Sequence, residues 1–534
     1  MCGGMGLLML PALALLTLFS AWAVSFSPFW LFALIPFALL LALGIFDVLQ
    51  RRRSILRNFP VLGHARFMAE FIRPEIQQYF VETNTDGRPF DRDTRSVVYE
   101  RAKGIHGDQA FGTELDVEAS GYEFLEHSMS PLQPVPEQPR VLVGGPDCRQ
   151  PYHMALLNVS AMSFGALSAH AILALNKGAK AGGFAHDTGE GGISPYHREG
   201  GGDLVWEIGS GYFGARTKDG DFDPDKFRDK AADPQIKCVE LKLSQGAKPG
   251  LGGVLPGPKV TRQIAEIRDV PEGITVISPS AHKAFNTPRE LVLFIAKMRE
   301  LSGGKPTGFK LCVGSRREFL GVCKAMLAEG VTPDFIVVDG SEGGTGAAPL
   351  EFEDNVGTPL THGLLTVHNA LVGVGLRDRI RIGASGKIAR GTDIVKRIAQ
   401  GADYTNAARA MMMAVGCIQA QKCHTNHCPV GVATQDPKRY RALDVPDKAT
   451  RVQHFQAATV AEAQQLIAAM GLTGPHELRP EMVHRRVSQR KTSTYAELYH
   501  YLRPGELLAE PVQGWDEDWR AADPDTFRMV AAKA

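Results

Sequence analysis

Three cysteines lying close together, Cys417-x5-Cys423-x4-Cys428 followed by Pro429, are the residues of this sequence best suited to gather metal. Thiolates at this spacing point to a metal group rather than a disulfide framework, for which eight Cys in 534 residues are too sparse. Structural zinc asks for a fourth ligand, which His424 or His427 would supply. An iron–sulfur cluster held by three Cys needs none, and Cys-Pro ends many cluster loops. Spacing alone favours the cluster and leaves zinc open. Cys312 and Cys323 instead sit in apolar text, where a cysteine behaves as a small hydrophobe.

A second set of residues suits a small anionic substrate. Lys248, between small residues in Ser244-Gln245-Gly246-Ala247-Lys248-Pro249-Gly250, offers a compact point charge, with the solvated loop lysine as its alternative. Gln245 and Glu190, the latter in Asp187-Thr188-Gly189-Glu190-Gly191-Gly192, join it on one face of the expected fold. Lys310 lies between Phe309 and Leu311 inside a strand pattern, where burial demands a partner. That partner is either a cofactor or a neighbouring carboxylate. The run Asp339-Gly340-Ser341-Glu342-Gly343-Gly344-Thr345-Gly346 lets backbone approach a flat ligand. Ile382-Gly383-Ala384-Ser385-Gly386-Lys387 and Asn406-Ala407-Ala408-Arg409 suit a phosphate.

The elements needed to position these loops alternate. Strand patterns fall at 156–162, 184–187, 239–243, 275–277, 308–313, 335–338, 380–382 and 404–407, with helical patterns at 289–301, 316–328, 361–374 and 392–399. Alternation implies right-handed βαβ units, and eight strands in this length match a (β/α)8 TIM barrel. An open doubly wound sheet is the runner-up, disfavoured because nearly every strand ends in a Gly-rich or polar loop. In barrels the loops after strands 7 and 8 often bind phosphate, which is where the two phosphate-suited loops fall.

The expected organisation is a membrane anchor over 1–53, a lead-in segment over 54–150, the barrel over 151–428, and a helical extension over 429–534. An amphipathic helix near 65–80 is expected to pack on the main domain, and a helix over 457–470 to belong to the extension. Lys plus Arg number 59 against 58 Asp plus Glu, which gives no electrostatic footprint for nucleic acid. No ionisable acidic or basic side chain occurs between Met1 and Phe46. Apolar runs at 6–24 and 29–46 each approach the length that crosses a bilayer. Arg51, Arg52, Arg53 and Arg57 follow, so a transmembrane hairpin with both ends and the catalytic domain on the cytoplasmic side is expected. The competing reading is a signal peptide ending near Ala21-Trp22-Ala23, opposed by the missing basic n-region.

Together, Ala161-Met162-Ser163-Phe164-Gly165, Thr188 to Gly192, Gln245 to Gly250, Gly343 to Gly346 and Cys417 to Gln435 resemble the synthase domain of the FMN-binding glutamate synthase family, over about residues 120–480. The resemblance implies FMN and a [3Fe–4S] cluster, with electrons passing through the cluster to the flavin. It implies reductive amination of 2-oxoglutarate, with ammonia, to L-glutamate. It places FMN against Met162 and Ser163, with Lys310 near its pyrimidine edge and Gly343, Gly344 and Thr345 lining it. Gly383, Ser385, Gly386 and Arg409 would hold the phosphate; Gln245 and Lys248 would bind the oxo acid and Glu190 orient it. Cys417, Cys423 and Cys428 become cluster ligands.

Neither the amidotransferase domain nor the C-terminal β-helix of full-length members is found, and Cys2 is read as a coincidence rather than a nucleophile. Ammonia would then be free or come from a separate glutaminase. No Gly-x-Gly-x-x-Gly nucleotide unit is found, so ferredoxin or a membrane redox partner is expected as electron donor. Another amino or hydroxy acid is the alternative substrate.

Overall fold

The computed structural model describes residues 5–105, 107–108, 110–509 and 511–528, so Cys2 lies outside the described residues. The chain forms two compact units, residues 1–92 and 93–534. In the first, the apolar helices Met5–Val24 and Leu31–Leu49 are joined through a 3-10 turn at Pro28–Trp30. The rings of Phe19 and Trp30 meet edge-on at 5.7 Å. The stretch Pro28–Leu49 is long and apolar enough to cross a membrane. Helix Gly63–Ile76 follows, continued by a π-helical turn at Gln77–Val81.

The second unit is built round a closed, all-parallel, eight-stranded barrel. Its strands are β1 (Leu157–Val159), β2 (His186–Asp187), β3 (Leu204–Ile208), β4 (Ile236–Lys242), β5 (Thr307–Leu311), β6 (Phe335–Asp339), β7 (Arg381–Ser385) and β8 (Tyr404–Ala407). Pairing of Thr405 with Leu157 closes the ring. The expected barrel of eight strands is present, with one strand exchanged for another. β3, Leu-Val-Trp-Glu-Ile, is absent from the expected strands. Val276–Ile277, expected in the barrel, pairs antiparallel with Val254–Leu255 in the long insertion after β4. Ile277 is 70% exposed there, which no inner strand of a helix-covered parallel sheet would be.

The two-residue alternation of a strand sorts each side chain to the helix layer or the barrel interior. Trp206, Ile208, Val239, Leu241, Phe309, Ile336 and Val338 pack outward with the surrounding helices. Val205, Cys238, Phe335, Val337 and Tyr404 form an apolar plug inside, which Val143 and Met154 of the hairpin Arg140–Val143/Tyr152–Ala155 join from below. The next inward position on each strand toward its C-terminal end is therefore Glu207, Glu240, Lys310 or Asp339. Polar chemistry sits above an apolar floor.

The 25-residue helix Val445–Ala469 packs beside both Ala169–Gly182 and Gly391–Ala399, completing the outer ring after β8. A Cβ on Gly178 would lie 2.7 Å from Val452, and one on Gly391 would lie 2.7 Å from the Ala463 nitrogen. Beyond it, Val483–Ser488 and Lys491–Thr494 form a small antiparallel sheet with Glu123–Leu125, strand text within a segment expected to be helical.

Candidate active site

At the C-terminal mouth of the barrel one carboxylate is ringed by cations. Glu190, from the loop after β2, pairs with Lys242 Nζ at 3.2 Å, and the same ammonium donates to Gln245 Oε1 at 2.6 Å. Lys248 is 1% exposed and is pushed down to about 8, first by burial and then by the charge of Lys242. Burial opposes ionisation of Glu190, but Lys242 and Arg268 outweigh it and hold the carboxyl below its ordinary range. Arg268 is lowered to about 10 by burial, against the pull of Glu190. Its Nη2 donates to Ser163 Oγ at 3.2 Å and to the Phe164 carbonyl at 3.0 Å, while its buried Nε has no hydrogen-bond partner.

Glycines make room for this group. A Cβ on Gly253 would sit 1.6 Å from Glu190 Oε1, and one on Gly209 would sit 2.4 Å from Oε2. Cβ atoms on Gly191 and Gly165 would lie 2.7 and 3.1 Å from Arg268 Nη2. Glycines in two of the quoted motifs thus accommodate an arginine from the insertion after β4. His282 closes the side: its Nε2 must donate to the Lys242 carbonyl at 2.8 Å, leaving Nδ1 to accept from the Tyr212 hydroxyl at 3.1 Å. Burial lowers this imidazole to about 4, so it stays neutral at physiological pH. Sequence reasoning found Glu190, Gln245 and Lys248 but missed Lys242, Arg268 and His282. Lys242 had a legible signal, a lysine ending an apolar strand two residues before the Ser244 loop; Arg268 and His282 had none.

Beneath lies the inner polar layer. Lys310 pairs with Glu207 and, at 3.2 Å, with Glu240, while carboxylate oxygens of Asp187, Glu207 and Glu240 lie within 4.8 Å of one another. The structure therefore supplies the carboxylate partner weighed for Lys310. Although burial opposes it, Glu207 and Glu240 keep this ammonium protonated well above ordinary lysine. Burial and then the Glu207 charge push Asp187 up to about 7.

The loops matched to a cofactor converge on the same rim. A Cβ on Gly189 would meet the Ser163 nitrogen at 2.6 Å and the carbonyl carbon of buried Met162 at 2.9 Å. A Cβ on Gly246 would lie 1.8 Å from the Gly340 carbonyl oxygen, and Gly246 N donates to Asp339 Oδ2 at 2.7 Å. Gly343 N donates to the Gly340 carbonyl, and a Cβ on Gly344 would strike Arg409 Cδ at 2.8 Å. Arg409 in turn donates to the Glu342 carbonyl at 2.5 Å, and Thr345 is exposed. The Ser385 hydroxyl lies 3.3 Å from that of Ser160, and Gly386 has φ +153. Gly383 differs from the rest: it is inside β7, where a Cβ would lie 2.7 Å from the Tyr404 ring, so its smallness serves barrel packing.

The cysteine loop abuts this rim, since a Cβ on Gly346 would lie 3.4 Å from Cys423 Cβ. Gln419, Gln421 and Asn426 all have left-handed φ, a costly arrangement for non-glycine residues unless the surroundings enforce it. Here Asn426 accepts from Gln435 N at 2.7 Å, and the Thr434 hydroxyl donates to the Asn426 carbonyl at 2.7 Å. Buried Lys259 donates to the Ala166 carbonyl at 2.9 Å and is brought to about 8 by burial, with Cys423 and Cys428 opposing. His424 and His427 are exposed. Among the described residues the three thiols are not drawn within 4.8 Å of one another, as ligands of one ion would be. Burial pushes Cys417 up to about 12.

Residues 132–473 match a family model described as a conserved region in glutamate synthase. The chain belongs to the glutamate synthase family. It is a glutamate synthase-like oxidoreductase of the class acting on CH–NH2 donors. It is 37% identical over 494 residues to the glutamate synthase large subunit-like protein YerD of Bacillus subtilis, covering 85% of this chain and 94% of that protein. It is 34% identical over 321 residues to the archaeal-type glutamate synthase (NADPH) of Thermotoga neapolitana, spanning 60% of each. A mutant flavocytochrome b2 with pyruvate bound shares a general fold likeness at 14% identity, with TM-score 0.42 and coverage of 82% of this chain and 91% of that one. In glutamate synthase terms, the conserved region takes in every strand of the barrel and the cysteine loop.

Proposed function

We propose that the chain reductively aminates 2-oxoglutarate with ammonia to L-glutamate, using FMN and a [3Fe–4S] cluster. The observation that carries this reading is the buried ring of Lys242, Lys248 and Arg268 about Glu190, with one guanidinium nitrogen left without a partner. A dianionic oxo acid is the ligand such a ring fits, because buried cations need anions and an unpaired buried donor is costly. Family membership supports FMN, and the glycine-lined rim beside Arg409 and Ser385 suits its ring and phosphate. Cys417, Cys423 and Cys428, on a loop that abuts the glycine-lined rim, suit a cluster whose irons each take one cysteine. When bound, FMN supplies the hydride and the cluster supplies single electrons.

The chain's own residues do the rest. Lys248 and Arg268 bind the substrate carboxylates. Glu190, kept ionised by Lys242, orients the nitrogen-bearing end. Lys248 Nζ, at about 8, is poised both to hold a proton and to release one as the keto oxygen leaves as water. Gln245, fixed by Lys242, contributes a neutral donor. The proposed location is the cytoplasmic membrane, with the apolar helices as a two-crossing anchor. Ferredoxin or a membrane redox partner would donate electrons, and a separate glutaminase would donate ammonia.

Chemically reduced holoprotein mixed anaerobically with 2-oxoglutarate and ammonium should reoxidise and yield glutamate. Lys248→Met should abolish this while flavin and iron contents stay unchanged. Reoxidation without glutamate, or full turnover by Lys248→Met, would overturn the reading.

A further inference from the structure

The segment after the apolar helices carries a feature the chemistry does not use. In helix Gly63–Ile76 and the turn at Gln77–Val81, Met68, Phe71, Ile72, Ile76 and Phe80 are all exposed, Phe71 at 75% and Phe80 at 84%. At 3.6 residues per turn, Phe67, Met68, Phe71, Ile72 and Ile76 share one half of the helix, with Glu75 among them in the last turn, while Arg66, Glu70 and Arg73 share the other. Large apolar side chains this exposed, gathered on one half of a helix, are a face that a lipid surface or a partner favours.

We propose that this helix lies in the headgroup boundary of an anionic bilayer, with its Phe/Met/Ile face in the lipid. The proposal rests on the membrane anchoring proposed above. Its depth is set by Asp47, in the last turn of Leu31–Leu49, whose carboxylate accepts from Val61 N at 2.9 Å and from His64 Nε2 at 2.9 Å. These bonds hold the first turn of the two-faced helix at the end of the apolar one, where a bilayer surface would be. Charge agrees: residues 51–81 carry six Arg and two Glu, with no Lys or Asp. Arg53 lies over the Phe67 ring at 4.5 Å, its cation at the border between the faces. Basic residues beside an apolar face are the pattern that anionic lipid attracts. A protein partner would account for the apolar face but not for its level at the end of the apolar helix.

The test uses the full chain in phosphatidylglycerol-rich vesicles, with the photocrosslinker p-benzoylphenylalanine placed at Phe71 or, on the polar face, at Glu70. Lipid adducts at Phe71 about tenfold above those at Glu70 are expected for a seated amphipathic helix. Adducts to a second chain, adducts to residues 93–534, or equal lipid labelling of both faces would overturn it. Carbonate washing tests the anchor separately. A chain that stays in the pellet without Phe71–lipid adducts removes the surface helix alone; a chain that is released yet labelled by lipid at Phe71 removes the anchor alone.

Discussion

Replacing Lys310 by Met tests the inner polar layer. Lys310 is 4% exposed and is the ammonium that faces Glu207 and Glu240, with Asp187 beside them. Methionine nearly preserves the volume but leaves three buried carboxyl groups without their cation. Removing one partner of a buried ion pair costs about 3–5 kcal/mol. Part of this is relieved because burial already drives Asp187 up to about 7 and Glu240 well above ordinary carboxyls, so protonation neutralises them. With the cost thereby brought to the lower end, about 3 kcal/mol, and roughly 2–4 °C per kcal/mol for domains somewhat smaller than this one, the melting temperature should drop by about 6–12 °C at pH 8.

The pH dependence follows from the signs. A carboxyl whose folded pKa is raised binds more protons folded than unfolded, so its effect on stability turns unfavourable as pH rises from the unfolded value toward the folded one. Loss of the cation raises these folded values further. The deficit of Lys310→Met should therefore be smaller at pH 5 than at pH 8. Lys310 itself, raised in the folded state, contributes its full stabilisation throughout this range, since it loses it only as pH rises through its folded pKa. Thermal unfolding of the flavin-free protein at both pH values is the assay. A variant as stable as wild type at pH 8, or an equal deficit at both, would refute the reasoning.

Gly253→Ala should leave the protein folded but less stable, because the side-chain tip it displaces is the carboxylate that three cations face. It should also cut turnover at least about a hundredfold by pushing Glu190 from Lys242, a misplacement of the size that costs that much in rate; steady-state kinetics on folded protein decides. Asn426→Ala keeps the backbone carbonyl that takes the Thr434 hydroxyl but removes the side-chain oxygen that accepts from Gln435 N and puts alanine at a left-handed φ in the cysteine loop, and iron per chain should fall while flavin stays; iron analysis and EPR check it. In wild type, the glutamate-forming rate should fall as pH rises through about 8, where Lys248 loses the proton it would give to the departing oxygen; a rate flat across that range counts against the assignment.

Local pattern made much of this protein legible. β5 to β8, the helices between them, the glycine loops and the cysteine trio are each written in a few consecutive residues, because strand period, helix period and turn chemistry are short-range properties. β3, Leu204 to Ile208, is a good strand that the expected set lacks, and Val276–Ile277 reads as a barrel strand because two apolar residues cannot reveal their partner. The ring around Glu190 has a different origin. Arg268 and His282 arrive from the insertion after β4, and nothing in their own neighbourhoods marks them. Only closure of the barrel brings them onto Glu190, and only the missing side chains of Gly165, Gly191, Gly209 and Gly253 leave space for the contact. Lys310 shows the same division. Its burial followed from Phe309 and Leu311, but its partners were set by which residues on β3 and β4 share the inward phase at that height, a matter of register between strands far apart in the chain.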